Sequence, residues 1–218
     1  MEAFVKIIIY IHAFFGGIGL IAGFATLIFK KGSKNHKRFG KIFSYSMVLS
    51  SLIPLGVCLV PNHENPFLFL IGIFTIYLVL SGNRVLLFKK KEAANLTDKL
   101  ISVTLFVGAV VMLILGGFYL IQSGRIGVLY VFFGLLALFL AWRDYKFYKS
   151  IDKTKILKFH IGKMTGAFTA SITAFLVAGI QLNGLIYWLM PSLFAGLFIM
   201  YWNKKLAKQK GKSVSFNS

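Results

Sequence analysis

Acidic residues are almost missing from this chain. Six Asp and Glu stand against 25 Lys and Arg in 218 residues, a formal net charge of +19. Charged residues of both signs make up only 14%, while hydrophobic residues reach 57%. A soluble globular domain carries about 45–50% apolar and about 25% charged residues, so that class is excluded. A mean hydropathy of +0.77 excludes intrinsic disorder, which needs low hydrophobicity. Cysteine is scarce too. The single Cys58 excludes an internal disulfide and a cysteine metal cage, and it reads as a small buried hydrophobe in an apolar helix. No P-loop, GxSxG, HExxH or Cys-x-x-Cys is present, so no catalytic residue is assigned.

What the chain has in quantity is long apolar runs. A spanning helix needs about 20 apolar residues to cross about 30 Å of hydrocarbon. Seven runs qualify: residues 4–29, 42–60, 67–88, 100–121, 126–142, 159–180 and 184–202. The expected fold is therefore an all-α integral membrane bundle of seven transmembrane helices. Between the runs lie basic stretches, a Pro/Asn turn at 61–66, and short polar turns at 122–125 and 181–184.

The basic residues sort by side. Six lie at 30–41, five at 84–99, seven at 143–163 and five in the tail after Asn203. Only Lys6 and Arg125 fall outside these groups. With seven spans, all four groups share one end of the bundle. The positive-inside rule then predicts the N-terminus outside and the C-terminus in the cytoplasm. Basic loops of this kind read as orientation signals and anionic-lipid contacts rather than a nucleic-acid surface. The first basic cluster follows the first helix instead of preceding it, so that helix is expected to be retained and not cleaved as a signal peptide. Residues 203–218 read as a basic, disordered cytoplasmic tail.

Two helices carry small-residue faces. His12, Gly16, Gly19 and Gly23 are spaced by four, three and four, which puts them on one face of the first helix. Gly162 and Gly166 are four apart in the sixth, beside Thr165, Thr169 and Thr173. Such faces let helices approach closely. The alternative is a slot for a flat ligand with His12 on its wall. Pro54 and Pro191 predict kinks, which often line transporter cavities.

A polar set is expected at one depth near the basic end: His36, Arg84, Asp144, His160 and Lys163. In its simplest form, Arg84 and Lys163 reach the headgroups and pair with Asp144. His63 and Glu64 read as solvated turn residues. The starts of the first and fifth runs, and the Gly-Lys pairs at 40–41 and 162–163, share an offset of 122. This suggests a parallel three-plus-one-plus-three repeat, the plan of SWEET-type transporters.

Three functional readings follow. One is a small-molecule permease, with Pro54 and Pro191 as kinks and Arg84, Asp144 and Lys163 as an inner gate. The second is a haem-binding or redox protein, with His36 and His160 as bis-His ligands and His12 as an outer candidate. The third is a structural or assembly protein whose glycine faces serve packing.

The stretches His12 through Gly23, His36-Lys37-Arg38-Phe39-Gly40-Lys41, Leu80-Ser81-Gly82-Asn83-Arg84 and His160-Ile161-Gly162-Lys163-Met164-Thr165-Gly166-Ala167 resemble a bacterial multi-pass membrane protein family of the domain-of-unknown-function type. Members of that family tend to carry Arg where this chain has Lys163, which keeps the charge but not the planar fork. The resemblance implies a bacterial membrane protein and no particular activity.

Overall fold

The structure, a computed structural model, describes residues 2–122 and 124–215. Seven long helices account for most of them: α1 (Glu2–Ile28), α2 (Lys34–Val57), α3 (Pro66–Arg84), α4 (Leu96–Ile121), α5 (Arg125–Lys149), α6 (Ile156–Ala174) and α7 (Leu185–Ser215). All seven are long and apolar enough to cross a membrane. Large apolar side chains such as Phe4, Ile114, Leu135 and Leu193 point outward. A soluble protein would bury a belt of that size.

Local signals set the ends. Ser33 caps α2, its side chain accepting the His36 N–H at 3.2 Å. That cap starts α2 about two turns before the apolar run does. Asn65 caps α3, with Pro66 in the first turn, where its missing N–H costs nothing. Asn95 and Asp98 form a capping box at the start of α4, which satisfies two orphan donors reciprocally. After α3 the chain tightens into a 3₁₀ segment, Val85–Lys89. After α6 it widens into a π-helical turn, Phe175–Gly179. The α5–α6 connection is held by Asp152, which accepts the Thr154 N–H at 2.9 Å and faces Lys155 at 3.2 Å. Those hydrogen bonds from Thr154, helped by Lys155, lower its carboxyl to about 2.

Two expectations change. Helix α7 continues through the tail to Ser215, where a disordered segment was expected. The Lys204-Lys205-Leu206-Ala207-Lys208 run is made of good helix formers, and cations suit a helix C-terminus. Residues 216–218 of that tail, and Ser123 of the short turn at 122–125, lie outside the described residues.

The second change concerns the repeat. Helix α1 packs along α2, and α4 packs along α5; α3 sits between these hairpins and also touches α6, which carries α7. A three-plus-one-plus-three repeat would make α5–α6 the counterpart of α1–α2. Yet α5 and α6, though consecutive, each pack on other helices. The glycines of α5 explain this. Gly127 and Gly134 nestle against Leu120, Met112 and Leu113 of α4, so the close-packing face of α5 is turned away from α6.

Candidate functional site

The gap between α5 and α6 opens into a cavity of about 910 Å³ that is also bordered by α1, α2, α3 and α7. It runs nearly the length of the bundle. The end away from the basic loops is bordered by His12, Ser50, Pro54 and Asn65, and the basic end by Arg143, Asp144, Lys158 and Lys163. Between them the wall is apolar or small, with Phe67, Phe133, Gly162, Gly166, Ala170 and Trp188. Helix α7 contributes Trp188, Ser192, Ala195, Gly196, Ile199 and Asn203, one face at helical spacing.

At the basic end a buried polar network bridges α5 and α6. Asp144 is 0% exposed and Lys163 4%. Lys163 Nζ donates to Asp144 Oδ1 at 2.6 Å. Tyr77 from α3 donates its hydroxyl to Asp144 Oδ2 at 2.7 Å, and Ser102 from α4 donates to the same oxygen at 2.9 Å. One carboxylate thus ties together α3, α4, α5 and α6. Isolated charges in a membrane interior are costly; here the charge is paired and its oxygens are hydrogen-bonded, the condition under which a buried pair is tolerated. The pairing of Lys163 with Asp144 matches the expectation from the sequence, but the expected reach of Lys163 to the headgroups does not: its side chain is buried. Its ammonium is held at Asp144 and lies 5.3 Å from the Tyr77 ring and 5.7 Å from the Phe159 ring.

Arg84 belongs to a different cluster. Its Nε donates to Asp98 Oδ1 at 2.6 Å, and its Nη2 donates to Asn95 Oδ1 at 3.0 Å. Asp98 is the acid of the α4 capping box, so Arg84 fastens the end of α3 to the start of α4. It is not part of a gate with Asp144. Tyr148 stands between the clusters, its hydroxyl 3.5 Å from both the Ser102 hydroxyl and the Asp98 carbonyl.

The histidines are dispersed. His12 Nδ1 is 2.7 Å from the Ser50 carbonyl oxygen, and the Ser50 hydroxyl donates to the His12 carbonyl at 3.1 Å. This reciprocal clamp joins α1 to α2; interhelical hydrogen bonds in membranes average about 0.6 kcal/mol each. His36 Nδ1 is 3.1 Å from the Thr26 carbonyl oxygen, and His160 Nδ1 is 2.7 Å from that of Gly82. A carbonyl can only accept, so all three rings carry the proton on Nδ1. His36 and His160 lie within electrostatic reach of each other, but neither borders the large cavity. His63 is exposed.

The glycines divide. Gly19 and Gly23 meet Met47 and the Phe168 and Phe43 rings and Gly16 meets the Ser50 hydroxyl, so this face packs on its neighbours, while His12 and Gly16 also border the cavity. Gly166 rests against Leu78 at ordinary contact. Gly162 was expected on a packing face, but it has nothing within 4 Å of where a Cβ would stand. It opens onto the cavity.

Tyr77, Asp98 and Ser102 escaped the sequence reading. Their signal was periodic. Asp98, Ser102, Leu105, Ala109, Met112 and Gly116 recur every three or four residues along the buried side of α4, so two polar residues sit on a core face. No family model, curated protein or solved structure matches the chain.

Proposed function

We propose that this is a small-molecule permease-like protein of a bacterial cytoplasmic membrane, oriented N-out and C-in, with its basic loops on anionic lipid. The orientation rests on the basic residues, all but Lys6 and Arg125 of which fall at one end. The function rests on one observation, the cavity of about 910 Å³ between α5 and α6. That volume is at the upper end for sites of drug-sized ligands, about 300–1,000 Å³. Pro54 and the π-helical turn of α6 border it, and both are places where a helix bends. The Asp144–Lys163 pair closes α5 onto α6 at the basic end, as an inner gate would.

The test is ligand-dependent thermal stabilisation of the protein in nanodiscs across a small-molecule panel. A binder present at 100 times its Kd stabilises by about 2.7 kcal/mol. Gly162→Leu, which puts a side chain into open space, is expected to abolish that response while folding normally. A binder whose effect survives Gly162→Leu would place its site elsewhere and defeat the reading.

A second reading is favoured by the histidines. Metal-ligating His almost always fixes its other ring nitrogen on a carbonyl or carboxylate. His36 and His160 both do so, leaving each Nε2 available for a haem iron. Under this reading the protein from haem-fed cells shows a Soret band with sharpened α-bands on reduction, lost in His160→Ala. A colourless preparation removes it.

A further inference from the structure

The cavity has chemically distinct parts. Its middle is lined mainly by aromatic and small apolar groups, and its far end adds His12, Ser50 and Asn65. Its basic end carries three cations and one acid. Of the cations, Lys163 is spoken for by Asp144. Arg143 is not: its guanidinium lies 4.5 Å from the centre of the Phe159 ring and 5.6 Å from that of Phe139. Among the described residues, neither Arg143 nor Lys158 has a carboxylate within ion-pair distance. The other acids are placed elsewhere. Asp98 is held by Arg84 and Asp152 by Lys155; Glu2 and Glu64 lie at the opposite end of the bundle, and Glu92 lies in the α3–α4 connection.

A guanidinium stacked on aromatic rings keeps its five donors in a fixed fork. That fork matches a carboxylate or phosphate bidentately. We propose that the cavity takes an amphipathic anion, its acyl chain along the apolar bore between α5, α6 and α7 and its anionic head on Arg143, with Lys158 adding charge. The proposal rests on the binding cavity argued above and names its substrate class. An inner-leaflet phospholipid and a free monocarboxylate share this chemistry. Both present an anionic head and an extended apolar chain, two chains in the phospholipid and one in the monocarboxylate.

The test uses the full chain in phosphatidylcholine nanodiscs, titrated with decanoate, decanol and decylammonium and followed by thermal unfolding. Decanoate is expected to raise the unfolding temperature most, and decylammonium not at all. Arg143→Gln weakens decanoate binding about tenfold, the loss expected for a charge-assisted hydrogen bond. Lys204→Gln, on the exposed side of α7, leaves it unchanged. Native mass spectrometry of protein taken from cell membranes separates the sources. An anionic phospholipid retained by the wild type and lost from Arg143→Gln identifies a lipid occupant; decanoate binding without one identifies a free anion. Equal stabilisation by all three head groups overturns the proposal, as does an Arg143→Gln protein that binds decanoate like the wild type. If decanol stabilises as much as decanoate, and Gly162→Leu but not Arg143→Gln abolishes both effects, the cavity stands and the anion falls. If no amphiphile binds but another ligand of the wider panel does, again through Gly162, the substrate class alone is wrong.

Discussion

Replacing Lys163 by Met is expected to cost about 3–5 kcal/mol of stability, because it leaves Asp144 charged and unpaired inside the bundle. Asp144 is fully buried, so water cannot take the place of the lost ammonium at 2.6 Å. Asp144→Asn strands the ammonium in the same way and loses a similar amount. The double variant Asp144→Asn with Lys163→Met recovers most of the loss. Its Asn side chain still accepts from Tyr77 and Ser102, which now donate to the carboxylate at 2.7 and 2.9 Å. Neutral replacement of a whole buried pair is often close to neutral. Thermal unfolding of the four proteins in one detergent measures the cycle. Additive losses in the double variant would mean that the two groups do not act as a pair. The double variant also separates fold from function: if the pair closes the basic end of the cavity, this well-folded protein is leaky in proteoliposomes.

The number and type of the helices were legible because hydropathy is a sum over some 20 residues, and one misplaced side chain barely changes it. Helix ends were less so. Residues 34–41 are helical although six residues of the 30–41 stretch are basic, because a Ser33 cap and interfacial water tolerate charge on a helix that hydropathy treats as a break. The same holds for α7 beyond Trp202. Within the candidate site, Asp144 and Lys163 were found as a pair because acids are so few that each invites a partner. Arg84 was assigned to the wrong acid. From the sequence it shares a depth with Asp144, but depth does not fix azimuth around a helix. Its true partner, Asp98, falls in the charged stretch before the fourth apolar run and was not singled out. The cavity was invisible in the sequence. It exists because α5 turns its glycines toward α4, a fact of pairing between helices and not of any single helix.

That pairing predicts the second large effect. Gly127→Ala is expected to destabilise the protein by about 1–3 kcal/mol, the usual cost of overpacking, and at the upper part of that range. A Cβ at Gly127 would stand 2.7 Å from the Leu120 backbone nitrogen and 3.0 Å from the Tyr119 carbonyl carbon. Both obstacles are main chain, so no rotamer change relieves the clash; the α4–α5 hairpin itself has to open. Gly117→Ala, one turn before the end of α4, meets nothing within 4 Å and is expected to be neutral or slightly stabilising, as Ala is the better helix former. The wedge also acts at a distance. Asp144 lies 17 residues farther along α5, about 25 Å at 1.5 Å per residue. A helix pried from α4 at one end carries Asp144 away from Ser102 of α4 at the other. Sites so far apart normally contribute additively. Here Asp144→Asn is expected to cost less in the Gly127→Ala background than in the wild type, because the wedge has already loosened the network that Asp144→Asn breaks. Strict additivity would show that α5 bends rather than pivots, and that the α4–α5 glycine seam and the buried ion pair are independent supports of the bundle.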